Sequence, residues 1–499
     1  MKKIKWIAVI TIGMIVAACA DQNPPTNTSG ESGDNTNTPV TDTTGTATEV
    51  TNDSVVRIVY NGSEATITVP ASIASYLTVR QSGAHVCITQ SDDVAQEITY
   101  NLSGSSTDGE FYTSGAYKAT LELNGLTLTN TTPVYSGAAV HVQNGKRIDV
   151  KVITGTTNTL KDAASGEQKG ALYIKGHAEF KQKGTLNVYG NVKHGIKAGE
   201  YITVKNATIN VLSSVGDGIN CEQYFAMESG TITLSNIGDD GLQCDIEDTT
   251  TGSTGQTTDH EGEDSGNIYI SGGAITVSCQ YKGIKAEGDL TISDGVIAVT
   301  SKAAASSNGN HWGGNSSTSS PEAIESKGAM TISGGMVYAH STSNDGIDSN
   351  GNCYIKGGLV YAISATSPEL GIDANTEGGY KLYVQGGTIV AIGGLESGAS
   401  LTQTCYKASS WSKNTWYALT VGNDVFAFKT PSSGSSTMVV SGASTPTLKS
   451  GVTVSGTSIF DGVGYYPASA TGGSSVTLST YSGNSGGPGG GGPGGGGRW

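Results

Sequence analysis

Carboxylates return in this chain at a fixed spacing, and that spacing is where its chemistry begins. Asp217 and Asp240 lie 23 residues apart, each directly before a Gly and an aliphatic residue, with Asp239 beside the second. Lys282, Glu322 and Asp345 take the same place in later copies of the pattern. Asn220, Gln243, Lys285, Glu325, Asp348 and Asp373 follow the aliphatic residue, and Glu222, Asp245 and Glu287 stand two positions further on. If these segments are neighbouring strands about 5 Å apart, like charges are stacked at a cost unless something positive lies between them. Oxygen donors on rigid neighbouring backbones suit Ca²⁺, which takes about 6 to 8 oxygens at about 2.3 to 2.6 Å. The expected first site is Asp217, Asn220, Glu222, Asp239, Asp240, Gln243 and Asp245, and a second is Glu322, Glu325, Asp345, Asp348 and Asp373. The competing reading is a solvated acidic surface in which Asp precedes Gly only because that pair makes turns.

The elements that must position these groups are read from the same repeat. HGIKA at 194 to 198, DGINC at 217 to 221 and DGLQC at 240 to 244 are followed by KGIKA, EAIES, DGIDS and LGIDA down to residue 374. Between copies come pairs of short period-2 stretches joined at a Gly turn, such as IYISGGAITV and MTISGGMVYA. Alternation is the strand signature. A repeat of about 23 residues made of short strands and Gly turns, with no helix-length apolar pattern, predicts an all-β, right-handed parallel β-helix over residues 54–400. The 72 Gly and the charged fraction of 14% agree, since corners ask for positive φ and inner faces for small or apolar side chains. Within each copy the aliphatic and small residues are expected to point inward.

Other residues carry weaker signals. Tyr338 and Tyr361 occupy equivalent outward positions one coil apart, and Tyr269, Tyr354 and Tyr383 share another outward column. Ring ladders suit planar ligands such as sugar faces, although Tyr also favours strands for packing alone. Cys221 and Cys244 share one repeat position with Ala and Ser, which favours free buried thiols over a disulfide. His194 and His340 lack partners at metal spacing and read as structural. Lys282 and Lys285 lie one coil beyond Asp240 and Asp245. They are the candidates for a catalytic base if the chain cleaves what it holds, but beside a row of acids they read more simply as ion-pair partners.

The amino terminus, residues 1–18, reads as a lipoprotein signal peptide, with Lys2, Lys3 and Lys5, an apolar stretch, and Val-Ala-Ala-Cys ending at Cys19 as the lipidated residue. Residues 19–53 form a polar tether. Residues 401–482 are a β-rich cap, and the Gly/Pro-rich tail 483–499 cannot bury anything. A net charge of -15 argues against nucleic acid as a partner. The expectation is a monomer in the bacterial cell envelope, held at the outer membrane or cell surface only by the lipid on Cys19.

The DGI strands, the TISGG turns, the lipobox and the Gly/Pro-rich tail together resemble the bacterial carbohydrate-binding family of calcium-loaded parallel β-helices, whose folds look like pectate lyases. The likeness covers roughly residues 54–400. It implies a Ca²⁺-dependent binder of acidic polysaccharides or cellulose, with the first acidic cluster on calcium. The inserted loops at 246–266 and 302–320 match no motif of the family; the first, rich in acids, reads as a lid over the calcium cluster or as a disordered insertion. Two alternatives stand beside this reading: a Ca²⁺-dependent polysaccharide lyase with Lys282 or Lys285 as base, and a surface adhesin or scaffold.

Overall fold

The computed structural model describes residues 49–51, 55–246, 265–302 and 320–483. The expected signal peptide, Cys19, most of the tether, most of both inserted loops and nearly all of the tail lie outside the described residues. Within them the architecture is all-β with many parallel strands, and the helical content is limited to short 3-10 turns. No described helix is long and apolar enough to cross a membrane.

Three parallel ladders organise the repeat. One runs through Val140–Val142, Gly170–Ile174, His194–Ala198, Ile219–Glu222, Leu242–Asp245, Ile284–Ala286, Ile324–Ser326 and Ile347–Ser349; it carries the acidic residues. A second includes Ala178–Lys181, Ile202–Val204 and Tyr224–Met227, and a third Thr185–Gly190, Thr208–Ser214 and Thr231–Ile237. The second and third join into single long strands at Asn267–Cys279 and Leu290–Ser301, then separate again. The acidic ladder keeps strict register, so that Lys197, Asn220, Gln243, Lys285, Glu325 and Asp348 are successive cross-strand partners. Because parallel strands in register aim equivalent side chains the same way, a spacing in sequence becomes a column in space.

The inward column is apolar as the alternation requires. Ile196, Leu242, Ile284, Ile324, Ile347 and Ile372 are all fully buried, each contributing about 1.5 to 3 kcal/mol of transfer free energy. Cys221 and Cys244 are register partners in the same interior, and both are free. Ser326 and Ser349 take that position two and three coils after Cys244, and their hydroxyls bond each other at 3.3 Å, so neither buried polar group is orphaned.

Glycine serves two different ends. At the turns between the second and third ladders Gly335, Gly358 and Gly387 adopt φ of 72°, 77° and 91°, where a side chain would be strained. The Gly before the inward aliphatic residue does not. There the requirement is space: a Cβ on Gly283 would lie 1.9 Å from Val299 Cγ1 and 2.5 Å from the Ala323 carbonyl. The expectation of positive φ at every corner is therefore corrected to close approach at one of them.

Beyond residue 401 the chain leaves the repeat. Met438–Ser441 pairs antiparallel with Thr388–Ile392, the last strand of the third ladder. Trp416–Val421, Asp424–Lys429, Gly464–Val476 and Thr447–Ile459 close into a small barrel. Its inner side chains Phe426 and Phe428 sit with ring centroids 6.0 and 5.1 Å from Tyr361, forming a second core with Tyr338, Tyr417 and Phe460. The Tyr361 hydroxyl donates to the Lys429 carbonyl at 2.9 Å. Tyr338 is 8% exposed and Tyr361 0%. The structure thus corrects their assignment as sugar contacts: they do project outward from the ladder, but the barrel covers them.

Candidate metal and ligand site

Each acidic residue before the Gly is held by the strand that follows it, and each in turn binds the next coil. Asp217 Oδ1 accepts the Asp240 backbone N–H at 3.2 Å, Asp240 Oδ1 accepts that of Lys282 at 2.8 Å, and Asp345 Oδ1 accepts that of Leu370 at 2.5 Å. These bonds give the Asp column a structural role that turn propensity did not reveal. They also fix the carboxylates against one another.

At the first cluster Asp217, Asp239 and Asp240 each present an oxygen within 4.8 Å of the others. An ion at about 2.4 Å from each of three oxygens needs separations no greater than this. Asp217 and Asp240 are 3% and 7% exposed. Burial, then the Asp217 carboxylate, push Asp240 up to about 7, against the one backbone N–H that it accepts. Asp239 is raised as well, by burial and by Asp217. His194 Nδ1 accepts the Asp217 backbone N–H at 3.1 Å and lies 3.3 Å from Asp217 Oδ2.

A second buried carboxylate shows what a satisfied one looks like in this fold. Glu110, 0% exposed, accepts N–H bonds from Val134, Tyr135, Ser136 and Gly137 and from the Asn130 amide, and lies 3.0 Å from His85 Nδ1. Although burial pushes its carboxyl up, the His85 bond and the backbone donors outweigh it and leave Glu110 below the usual range. Asp240 has comparable burial and far fewer donors, so its charge is unmet.

The remaining expected ligands divide differently. Lys197 reaches Asn220 Oδ1 at 2.6 Å and Glu222 Oε1 at 2.7 Å. The Asn220 amide donates to Asp217 Oδ2 at 2.7 Å and Asp245 Oδ2 at 3.2 Å, and Gln243 donates to Asp245. The expectation of one seven-residue ligand set is corrected on this point: an ammonium occupies the place beside Asn220 and Glu222, and Asp245 is bound to amides, leaving Asp217, Asp239 and Asp240 as the convergent group. In the second cluster Glu322, Glu325 and Asp348 converge within 4.8 Å. Lys282 Nζ already bridges Glu322 and Glu325 at 2.6 Å each, and Lys327 holds the other Glu325 oxygen at 2.5 Å. Beyond those lysines, burial and the Glu322 and Glu325 carboxylates push Asp348 up to about 7. Burial chiefly, with Glu369 and Asp348 adding to it, pushes Asp345 up to about 8. Asp373 is raised by burial and by a shared hydrogen bond with Glu396.

Lys285 Nζ pairs with Glu287 at 2.7 Å. Burial works to lower both Lys282 and Lys285, but the carboxylates around them win and hold both above the ordinary lysine value.

The tyrosine column behaves as packing. Tyr269, Thr291, Thr331, Tyr354 and Tyr383 are successive register partners, so two threonines part Tyr269 from the rest. Tyr354 and Tyr383 are stacked on each other at 4.9 Å and 14°, and Lys356 Nζ lies 5.0 Å from the Tyr354 centroid. Rings stacked along the ladder take up each other's faces and leave mostly edges to solvent. A row not anticipated from sequence, Tyr112, His141 and Tyr173, lies on the acidic ladder itself, with centroids 4.7 and 4.6 Å apart. The signal that could have found them is the apolar–polar alternation of VHV and ALYI, in which His141 and Tyr173 stand between inward residues, but His141 breaks the tyrosine pattern.

Comparison with known proteins gives two findings. The model of the family described as carbohydrate-binding domain-containing protein matches residues 82–374. Among solved structures, the polysaccharide lyase-like protein from C. thermocellum, studied as a gadolinium derivative, is similar at 20% identity and a TM-score of 0.38, over 50% of this chain and 92% of that one. None of the curated proteins matches the chain.

Proposed function

Since the chain belongs to the carbohydrate-binding domain-containing protein family, we propose that it is a calcium-dependent polysaccharide-binding lipoprotein of the bacterial cell envelope, which holds acidic or β-glucan chains without cleaving them. The three ladders are read as the faces of a right-handed parallel β-helix with coils of about 23 residues. Lipid on Cys19 and the tether would carry this body outside the cytoplasm, at the outer membrane or cell surface.

The observation that carries the reading is the unmet charge of the buried Asp240, held with Asp217 and Asp239 in a group whose oxygens lie within 4.8 Å of one another. These residues would hold Ca²⁺ in the first cluster. Glu322, Glu325 and Asp348 fit a cation less well, because Lys282 already lies between two of them. When bound, calcium supplies positive charge and open coordination positions to a uronate carboxylate. The chain's own part is to hold the oxygens rigidly, coil upon coil. The base needed for lyase chemistry is not supported: a lysine must be neutral to accept a proton, and Lys282 and Lys285 are each held protonated by an ion pair.

Affinity electrophoresis tests the proposal. The full chain should be retarded by polygalacturonate in Ca²⁺ and lose most of that retardation in EGTA, and Asp240→Asn should show only the wild type's EGTA level in both. Equal migration with and without chelator would refute calcium dependence. Free migration through every acidic and neutral polysaccharide tried would refute binding.

A further inference from the structure

The barrel that buries Tyr338 and Tyr361 has an outer face of its own. Across its strands Lys449, Ala418, Ala427 and Tyr465 are direct register partners in one row, and Trp416 with Lys429 forms the next row. Their alternation partners Tyr417, Leu419, Phe426 and Phe428 fill the barrel interior, so this row faces away from the ladders. Ala418 and Ala427 are 3% and 0% exposed in spite of facing outward. Large neighbours therefore close over them, and the Trp416 and Tyr465 rings lie together at 5.4 Å. Both rings remain half-exposed and belong to neither apolar core, while Lys429 and Lys449 are exposed beside them. The result is a pair of half-exposed rings, tilted 56° to one another, beside two small residues and flanked by cations.

Charge distinguishes this region from the rest of the chain. Residues 401–482 hold four lysines (Lys407, Lys413, Lys429, Lys449) against two aspartates (Asp424, Asp461), a net charge of +2 in a protein of net charge -15. An acidic protein that binds an acidic polymer needs a place where the polymer is not repelled. The acidic ladder meets that need only with metal; the barrel face meets it with lysines. The family match ends at residue 374, before the barrel begins.

We propose that this face of the barrel is a second, metal-independent contact for uronate-containing polysaccharide, with Trp416 and Tyr465 stacking on sugar faces and Lys429 and Lys449 pairing with uronate carboxylates. The proposal takes its ligand class from the function given above, but its site, chemistry and metal requirement are separate. Lying on another face of the molecule, it would give one polymer two attachment points and so raise the overall avidity without tightening either contact.

The test is affinity electrophoresis of the full chain in polygalacturonate gels with EGTA present throughout. The wild-type chain should retain a weak retardation under chelation. Trp416→Ala should weaken it about tenfold or more, and so should the double change Lys429→Glu with Lys449→Glu, whose exposed side chains leave the barrel interior untouched. Adding Ca²⁺ should restore a further increment in all three proteins. Absence of retardation in EGTA, or retardation unchanged in both variants, overturns the barrel site. Equal retardation by a neutral β-glucan that ignores the charge reversal overturns the uronate assignment. Retardation in EGTA that Trp416→Ala removes, with no calcium increment in any protein, would support the barrel site and overturn the calcium reading instead.

Discussion

Asp240→Asn separates a metal ligand from a structural acid, because the two roles give opposite signs. In the absence of metal the folded carboxyl titrates at about 7 against an ordinary 3.8. Between those values the folded chain keeps a proton that the unfolded chain has released, so metal-free stability falls as pH rises through the window. A carboxyl held that far above its ordinary value costs the metal-free folded state on the order of 4 kcal/mol at pH 8. Asparagine keeps the oxygen that accepts the Lys282 N–H and removes the charge. In EGTA at pH 8 the variant should therefore melt higher than the wild type, by an amount that shrinks toward pH 4. In Ca²⁺ the order should reverse. An ion bound only by the folded state adds RT ln(1 + [L]/Kd), about 2.7 kcal/mol at a hundredfold excess over Kd, and the variant should lose most of that gain. Because the ion must displace a proton below pH 7, wild-type calcium affinity should fall by up to about tenfold per pH unit there. Thermal melts of both proteins from pH 5 to 8, with Ca²⁺ and with EGTA, give all four comparisons. A variant that melts lower in EGTA and keeps the full calcium response would refute the reasoning, and would make Asp240 no more than a backbone anchor.

Three further outcomes follow from other parts of the molecule. Incubation with polygalacturonate and Ca²⁺ from neutral to alkaline pH should yield no rise in ultraviolet absorbance from unsaturated uronates; a steady rise abolished by Lys282→Ala or Lys285→Ala would make the chain a lyase. Gly283→Ala should destabilise the fold by about 1 to 3 kcal/mol through its clash with Val299 and the Ala323 carbonyl, whereas Ala323→Gly, at the same repeat position, should cost no more than about 1 kcal/mol; denaturant titration compares them. Tyr361→Ala removes a fully buried ring and its bond to Lys429 and should cost about 3 to 5 kcal/mol, exposing the barrel to limited proteolysis while leaving calcium-dependent retardation intact.

The ladders were legible in the sequence because a repeat that stacks in register turns one-dimensional periodicity into a column, and nothing distant needs to be known. The inward Ile and small residues, the free Cys221 and Cys244, and the convergence of Asp217 with Asp239 and Asp240 all follow from that rule. What periodicity does not carry is which long side chain reaches which neighbour. Lys197 takes Asn220 and Glu222, and Lys282 spans Glu322 and Glu325, because a flexible ammonium seeks the deepest negative potential within reach, and that depends on every nearby rotamer. Nor can a repeat announce what is laid over it. Tyr338 and Tyr361 obey the outward alternation and are still buried, since a barrel built from residues far along the chain folds back over them. Local pattern decided which way each side chain points; only the tertiary packing decided whether water or protein lies there.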